Sequence, residues 1–186
     1  MLEIRFHGRG GQGTVVASKV LAVAVAKEGR YVQTFPEYGV ERRGAPVVAF
    51  TRIDTEPIYI RSKIYEPDHL LVLDPTLIAA IDVTEGLKPG GWIIINTEKK
   101  AADFPQFKDF KVAIVDATSI ALKHRIGSKA APIVNSAILG AFAKITGFVG
   151  IDAVRDAVHE LSPVKKDENV KAAQEAYDVA KAPEEK

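Results

Sequence analysis

Leu2-Glu3-Ile4-Arg5-Phe6, the glycine-rich stretch Gly8-Arg9-Gly10-Gly11-Gln12-Gly13, the long apolar run inside Thr14–Lys27, and Tyr31-Val32-Gln33-Thr34-Phe35 follow one another at the N-terminus. Their order decides the fold class. The first stretch reads as a strand and the last as another. Between them, Thr14–Lys27 reads as a helix that Gly29 ends. Strand, helix and strand within thirty-five residues make a βαβ beginning, so a right-handed crossover and parallel pairing are expected.

Working outward, Pro36 should break the second strand and open a polar loop that runs through Pro46. Val47–Arg52 and Pro57–Arg61 look like two strands joined by Ile53-Asp54-Thr55-Glu56, a link short enough to predict an antiparallel pair and therefore a mixed sheet. His69–Leu73 is apolar enough for a strand buried on both faces. A short helix over Thr76–Ile81 should follow, and Lys88-Pro89-Gly90-Gly91 is a strong turn before the strand Trp92–Asn96. Lys111–Asp116 is the last clear strand. Beyond it the chain reads as helical. Asn135 is the expected N-cap of Ser136–Thr146, Asp152 that of a helix carrying Val154, Ala157, Val158 and Leu161 on one face, and Glu168–Lys181 the last helix, with Val170, Ala173, Tyr177 and Ala180 on one stripe. The fold class that results is α/β: a Rossmann-like, three-layer domain with a mostly parallel, mixed sheet and C-terminal helical additions. A single domain over residues 1–186 is expected, because 186 residues build one substantial core and no linker divides them.

Composition narrows the function. The net charge of +1 supplies no broad field for nucleic acid or an anionic membrane, and no apolar run is long enough to span a bilayer. The N-terminus reads as a strand and not as a signal peptide, so a cytoplasmic location is the default expectation. The chain has no cysteine, which excludes disulfides, a thiolate nucleophile and cysteine-held zinc or iron–sulfur clusters in it. His7, His69, His124 and His159 are too scattered to suggest a metal site. No catalytic residue and no metal ligand is assigned. Two helices, Thr14–Lys27 and Ser136–Thr146, are apolar nearly all round and must be covered on several sides, either within the domain or by a partner.

Two motifs carry the chemistry. Gly8, Gly10 and Gly13 have the spacing G-x-G-x-x-G between a strand and a helix, where backbone N–H groups and a helix N-terminus can hold a phosphate. Dinucleotide binding also requires an acidic residue closing the second strand. Here that strand ends Thr34-Phe35-Pro36, with Glu37 beyond the proline. No Gly-Lys-Ser/Thr follows, so a Walker loop is excluded. A tight turn that simply packs strand on helix is the competing reading. The second motif, Glu37-Tyr38-Gly39-Val40-Glu41-Arg42-Arg43-Gly44-Ala45-Pro46, should lie on the same sheet edge. Arg42 and Arg43 can donate to phosphate or carboxylate, or be neutralised by Glu37 and Glu41.

Together the two motifs resemble the gamma subunit of the 2-oxoacid:ferredoxin oxidoreductases, and Glu41-Arg42-Arg43-Gly44-Ala45-Pro46 resembles the pyruvate and 2-oxoisovalerate branch. The likeness continues through Tyr65-Glu66-Pro67-Asp68, Val72-Leu73-Asp74-Pro75, Asn96-Thr97-Glu98-Lys99, Val115-Asp116-Ala117-Thr118 and Asn135-Ser136-Ala137-Ile138-Leu139-Gly140. The resemblance implies a heterotetramer with alpha, beta and delta chains that converts pyruvate and coenzyme A to acetyl-CoA and CO2 and reduces ferredoxin. It implies thiamine diphosphate, magnesium and [4Fe–4S] clusters on other subunits, with coenzyme A as co-substrate. Gly8, Arg9, Gly10, Gly11, Gln12, Gly13, Arg42 and Arg43 are then the candidates for touching a coenzyme A phosphate or a neighbouring subunit. A gamma chain shared with a 2-oxoisovalerate enzyme, and a stand-alone nucleotide-binding α/β protein outside the family, are the alternatives.

Overall fold

In the computed structural model, residues 1–37 and 44–181 are described. Six strands form one sheet in the order β2-β3-β1-β4-β5-β6, where β1 is Leu2–Arg9, β2 Tyr31–Glu37, β3 Pro46–Asp54, β4 His69–Val72, β5 Trp92–Asn96 and β6 Lys111–Val115. The strands β1, β4, β5 and β6 are parallel, and β3 runs antiparallel to both β1 and β2. The sheet is mixed, as the sequence predicts, but for a different reason.

The first helix, α1 (Thr14–Lys27), does carry the chain from β1 to a strand of the same direction. That strand is not β1's neighbour, because β3 inserts between them and pairs with each along its length. Pro57–Arg61 forms no strand. The antiparallel partner expected there is β2 instead, and Pro57–Arg61 passes outside it, where the Ile60 carbonyl accepts from Gln33 Nε2 at 3.0 Å. Pro36 does not end β2, which continues to Glu37 opposite Val48. An edge strand tolerates proline because one of its sides has no ladder to complete.

Side chains alternate across the sheet. Ile4, Phe6, Leu71, Leu73, Ile94, Ala113 and Val115 join a core with all five helices, the others being α2 (Ala117–Lys123), α3 (Asn135–Thr146), α4 (Ile151–Leu161) and α5 (Lys166–Val179). On the opposite face, Leu70, Val72, Ile93, Ile95 and Val112 pack against Leu77, Val83, Leu87, Phe104 and Phe107. The layer on that face consists of single 3-10 turns and loops; the helix expected over Thr76–Ile81 is one of them, Pro75–Ala79.

The two all-apolar helices are covered by their own domain. Every residue of α3 from Asn135 to Ala143 is buried. Asn135 is not the N-cap of α3 but its first residue, with Val134 before it, and its Oδ1 accepts from the Ser136 backbone N–H at 2.8 Å. Gly150, not Asp152, occupies the N-cap of α4. On α5 the buried stripe is Asn169, Ala172, Ala173 and Ala176, so of the predicted stripe Ala173 is central while Val170 and Tyr177 are half-buried.

Helices α3 and α5 meet at Gly140, where a Cβ would stand 1.9 Å from the Ala173 carbonyl oxygen. A backbone atom cannot give way as a side-chain tip can. Gly140→Ala should therefore cost about 1–3 kcal/mol of stability through overpacking. Denaturant unfolding, with a shift in midpoint at constant slope, checks this.

Candidate functional site

The carboxyl ends of β1 and β4 define the site. After Arg9 the chain turns on a Gln12 N–H to Arg9 carbonyl bond of 3.1 Å, with Gly11 at φ 100°. Gly13, at φ 85°, occupies the N-cap of α1. Both angles are ones that a side chain resists. Gly8 is required for another reason: a Cβ on it would stand 2.1 Å from Thr14 Oγ1.

The polar side chains of the turn point inward, onto Asp74. Gln12 accepts from the Arg9 backbone N–H at 2.8 Å and donates through Nε2 to Asp74 Oδ2 at 2.8 Å. Arg9 Nε stands 3.3 Å from the same oxygen, Arg9 Nη2 donates to Thr76 Oγ1 at 2.9 Å, and Arg9 Nη1 donates to the Gly44 carbonyl at 3.1 Å. Asp74 Oδ1 accepts from the Thr76 hydroxyl at 2.6 Å and from its N–H at 2.9 Å. The Asp74 carboxylate is therefore the fastening point of the turn. The sequence reading missed it as a site residue; the signal available was an aspartate before a proline at the end of a buried strand.

With its side chains turned in, the turn presents backbone. No side chain among the described residues caps the N-terminus of α1, and its first turn has no acidic residue. That terminus keeps its free N–H groups and partial positive charge, the elements of an anion site.

The second motif adjoins it. The Gly10 N–H donates to the Ala45 carbonyl at 2.9 Å and the Gly44 N–H to the Gly10 carbonyl at 3.1 Å. The end of β2 and the start of β3 thus bring both flanks of the second loop to the edge where the glycine turn lies. Arg42 and Arg43 themselves lie outside the described residues. Glu37 closes β2 after all, yet it does not recreate a dinucleotide site. β3 separates β2 from β1, and the Glu37 carboxylate pairs with Lys63 Nζ at 2.6 Å.

On the other side of the turn, Gly11, Gly13 and Val16 form one wall of a cavity of about 520 Å³. A small hairpin, β7 (Gly127–Ser128) with β8 (Ala131–Pro132), and the connection from α4 to α5 complete it. Asn135 also lines it, with its amide packed on Gly13, where a Cβ would lie 2.8 Å from Asn135 Nδ2. Among the described residues no group of three or more His, Cys, Asp or Glu is arranged to hold a metal ion.

The two buried histidines are not part of this site. His7 accepts at Nε2 from Arg5 Nε at 3.0 Å, and His69 accepts at Nδ1 from the Trp92 N–H at 3.0 Å. A ring that accepts such a bond is neutral, and burial, with Arg5 beside His7, pushes the two pKa values down to about 3 and about 4. In the unfolded chain both titrate near 6.5. Their contribution to stability is therefore complete above pH 6.5 and is lost as the pH falls from there towards about 4 for His69 and about 3 for His7, by up to about 1.4 kcal/mol per pH unit for each ring. Unfolding free energies measured at pH 7.5, 5.5 and 4.5 should fall in that order, and His69→Phe should flatten the slope.

Comparison with known proteins identifies the family. The model of the family "Pyruvate ferredoxin/flavodoxin oxidoreductase" matches residues 3–179. A pyruvate/ketoisovalerate oxidoreductases common subunit gamma from Thermococcus kodakarensis is 55% identical over 95% of this chain and 96% of its own length. A pyruvate synthase subunit PorC from Methanocaldococcus jannaschii is 49% identical over 95% and 96%. Among solved structures, the pyruvate oxidoreductase subunit PORC of Thermotoga maritima superposes with a TM-score of 0.82 at 37% identity, covering 98% of each chain. The glycine turn, the loop tied to it and the mixed sheet that holds both are thus the frame of a known subunit: the chain belongs to the pyruvate ferredoxin/flavodoxin oxidoreductase family, as its gamma (PorC) subunit.

Proposed function

We propose that this chain is the gamma subunit of a heterotetrameric pyruvate:ferredoxin oxidoreductase and that its glycine turn faces a phosphate of coenzyme A. Alpha, beta and delta chains complete the assembly, with thiamine diphosphate, magnesium and [4Fe–4S] clusters on those chains and ferredoxin as the electron acceptor. The absence of cysteine from this chain fits that division of labour. The assembly is cytoplasmic in this reading; no helix among the described residues is long and apolar enough to cross a membrane.

The observation that carries the coenzyme A role is the uncapped N-terminus of α1 beside a turn whose side chains are engaged elsewhere. The loop containing Arg42 and Arg43 is anchored next to it through Gly44 and Ala45. A backbone cradle, with two arginines in the sequence of the loop whose Gly44 and Ala45 are tied to it, suits a pyrophosphate or a ribose phosphate. This chain binds and orients, and the redox chemistry takes place on its partners.

In the assembled complex, Arg42→Ala and Arg43→Ala should each raise the KM for coenzyme A about tenfold or more, the effect of losing a charge-assisted hydrogen bond. An unchanged KM removes the proposal. Dispersal of the complex in size-exclusion chromatography would instead assign the loop to subunit contact. A second reading is favoured by the names of the relatives. The Thermococcus kodakarensis protein is common to pyruvate and ketoisovalerate enzymes, and a gamma chain that does not read the 2-oxoacid side chain can serve both.

A further inference from the structure

A second cavity lies at the end of the sheet opposite the glycine turn, where β1 and β2 begin and β3 ends. Its volume is about 340 Å³, within the ordinary range for small-molecule sites. Segments far apart in the chain meet there. Met1 and Leu2 enter β1, Arg30 precedes β2, Ile53 and Asp54 close β3, and Phe148 comes from the turn between α3 and α4. Glu28, at the end of α1, fastens that turn by accepting from the Gly150 N–H at 2.7 Å. Leu2, Ile53 and Phe148 provide apolar surface, and Met1, which also lines the space, is 55% exposed.

One side chain of each charge lines the same space. Asp54 Oδ1 accepts from the backbone N–H groups of Thr55 and Glu56 at 2.7 and 3.4 Å, and Oδ2 lies 3.3 Å from the Met1 amino group. The Thr55 N–H holds this carboxyl below its ordinary range, so it is charged at neutral pH. A carboxylate has about four acceptor positions, and Oδ2 keeps capacity for a second donor. Arg30 reaches Glu28 through one long contact of 3.4 Å, while the other Glu28 oxygen is taken by Gly150. Its planar fork of donors is therefore mostly open.

The apolar wall is backed by an unpaired group. Phe148 rests on the His69 ring, with centroids 5.2 Å apart. His69 Nδ1 accepts from the Trp92 N–H, so its proton is on Nε2, and Nε2 is buried without a hydrogen-bond partner among the described residues. Buried groups of this kind are normally satisfied. A ligand packed on Phe148 thus acts, through His69, on Trp92, the single tryptophan of the chain.

We propose that this cavity binds a free α-amino acid with an apolar side chain, its carboxylate on Arg30, its ammonium on Asp54 and its side chain against Leu2, Ile53 and Phe148. A hydrocarbon would cover the two charges without pairing them. A plain carboxylate would bring its charge beside Asp54, and a plain amine would bring its own beside Arg30 and the Met1 amino group. A zwitterion supplies one charge for each and leaves an apolar body for the wall. The site lies at the far end of the sheet from the glycine turn, and the inference does not rest on the coenzyme A reading.

The test titrates the full-length chain with L-leucine, read by isothermal titration calorimetry and by Trp92 fluorescence. The controls are 4-methylpentanoate, which lacks the ammonium, and 3-methylbutylamine, which lacks the carboxylate. Leucine should bind at millimolar concentration or below and shift the Trp92 emission. Each control should bind about tenfold more weakly or worse, the effect of losing a charge-assisted hydrogen bond. Arg30→Met and Asp54→Asn should each weaken leucine by a similar factor, with circular dichroism confirming that the variants fold. Arg30 is half-exposed, so its variant keeps the test decisive even if Asp54→Asn disturbs the chain. The intact complex should bind leucine as the chain does. Absence of binding, equal binding by the parent and Arg30→Met, or binding of 4-methylpentanoate as tight as that of leucine overturns the proposal. Binding that vanishes in the complex also overturns it, because a partner then covers the cavity.

Discussion

Glu3→Leu is expected to destabilise the domain by about 3 kcal/mol, although the residue removed is a single, half-buried glutamate near the N-terminus. The reason is its partner. Arg52, on β3, is 1% exposed; its Nε donates to Glu3 Oε1 at 2.7 Å, its Nη1 to Gln33 Oε1 at 2.9 Å, and its guanidinium lies 5.4 Å from the centre of the Phe35 ring. Removing Glu3 leaves a buried cation with a neutral amide and an aromatic face, which do not replace the lost charge. The double variant Glu3→Leu with Arg52→Met should recover most of the loss, since an apolar pair of similar volume often matches a buried ion pair. Chemical unfolding of the two single variants and the double, read as a thermodynamic cycle, decides it. Additive losses would show that the pair does not act as a unit. These residues tie β1, β2 and β3 together, so the prediction also tests the strand order.

Asp74→Ala should have the second large effect, and it should reach function. Asp74 is 8% exposed, and its carboxylate receives Gln12, Arg9 and both donors of Thr76. Without it these donors lose their acceptor, at a cost of about 2–3 kcal/mol for a cluster that includes a charged group. The glycine turn then loses the anchor that turns Arg9 and Gln12 inward. If the turn faces coenzyme A, the variant complex should show a raised KM for coenzyme A while its turnover number at saturation changes little. Thr76→Val, which removes one hydroxyl and leaves the Gln12 contact, should shift both measurements by far less. Equal losses in the two variants would remove Asp74 from this positioning role.

How much of this was legible beforehand depends on the range of the interaction that decides each feature. The glycine turn was legible because Gly8, Gly11 and Gly13 answer constraints within a few residues: a close approach to Thr14 and two positive φ angles. The buried strands Trp92–Asn96 and His69–Val72 were legible from their apolar runs. Pro57–Arg61 was misread because a β-rich composition does not say with whom a segment pairs, and β2 had already taken the place beside β3. Pro36 was misread as a stop because nothing local distinguishes an edge strand from a central one. The role of Asp74 was invisible because Gln12 and Arg9 precede it by more than sixty positions.

The glycine loop Gly8–Gly13 is the clearest division. Its residues alone specify a sharp, side-chain-poor turn between a strand and a helix, because φ preference and Cβ sterics act within the chain segment itself. They also mark the family, which the comparisons confirm. Which way the turn's side chains point was settled by β4, whose end brings Asp74 beneath it, and the neighbour of β1 was settled by β3. Likewise the cavity at Gly13 exists only because α3, α5 and the small hairpin converge there. Each of these rests on contacts between segments far apart in the chain, whose closure is governed by the packing of the whole sheet and its helices and by no local preference.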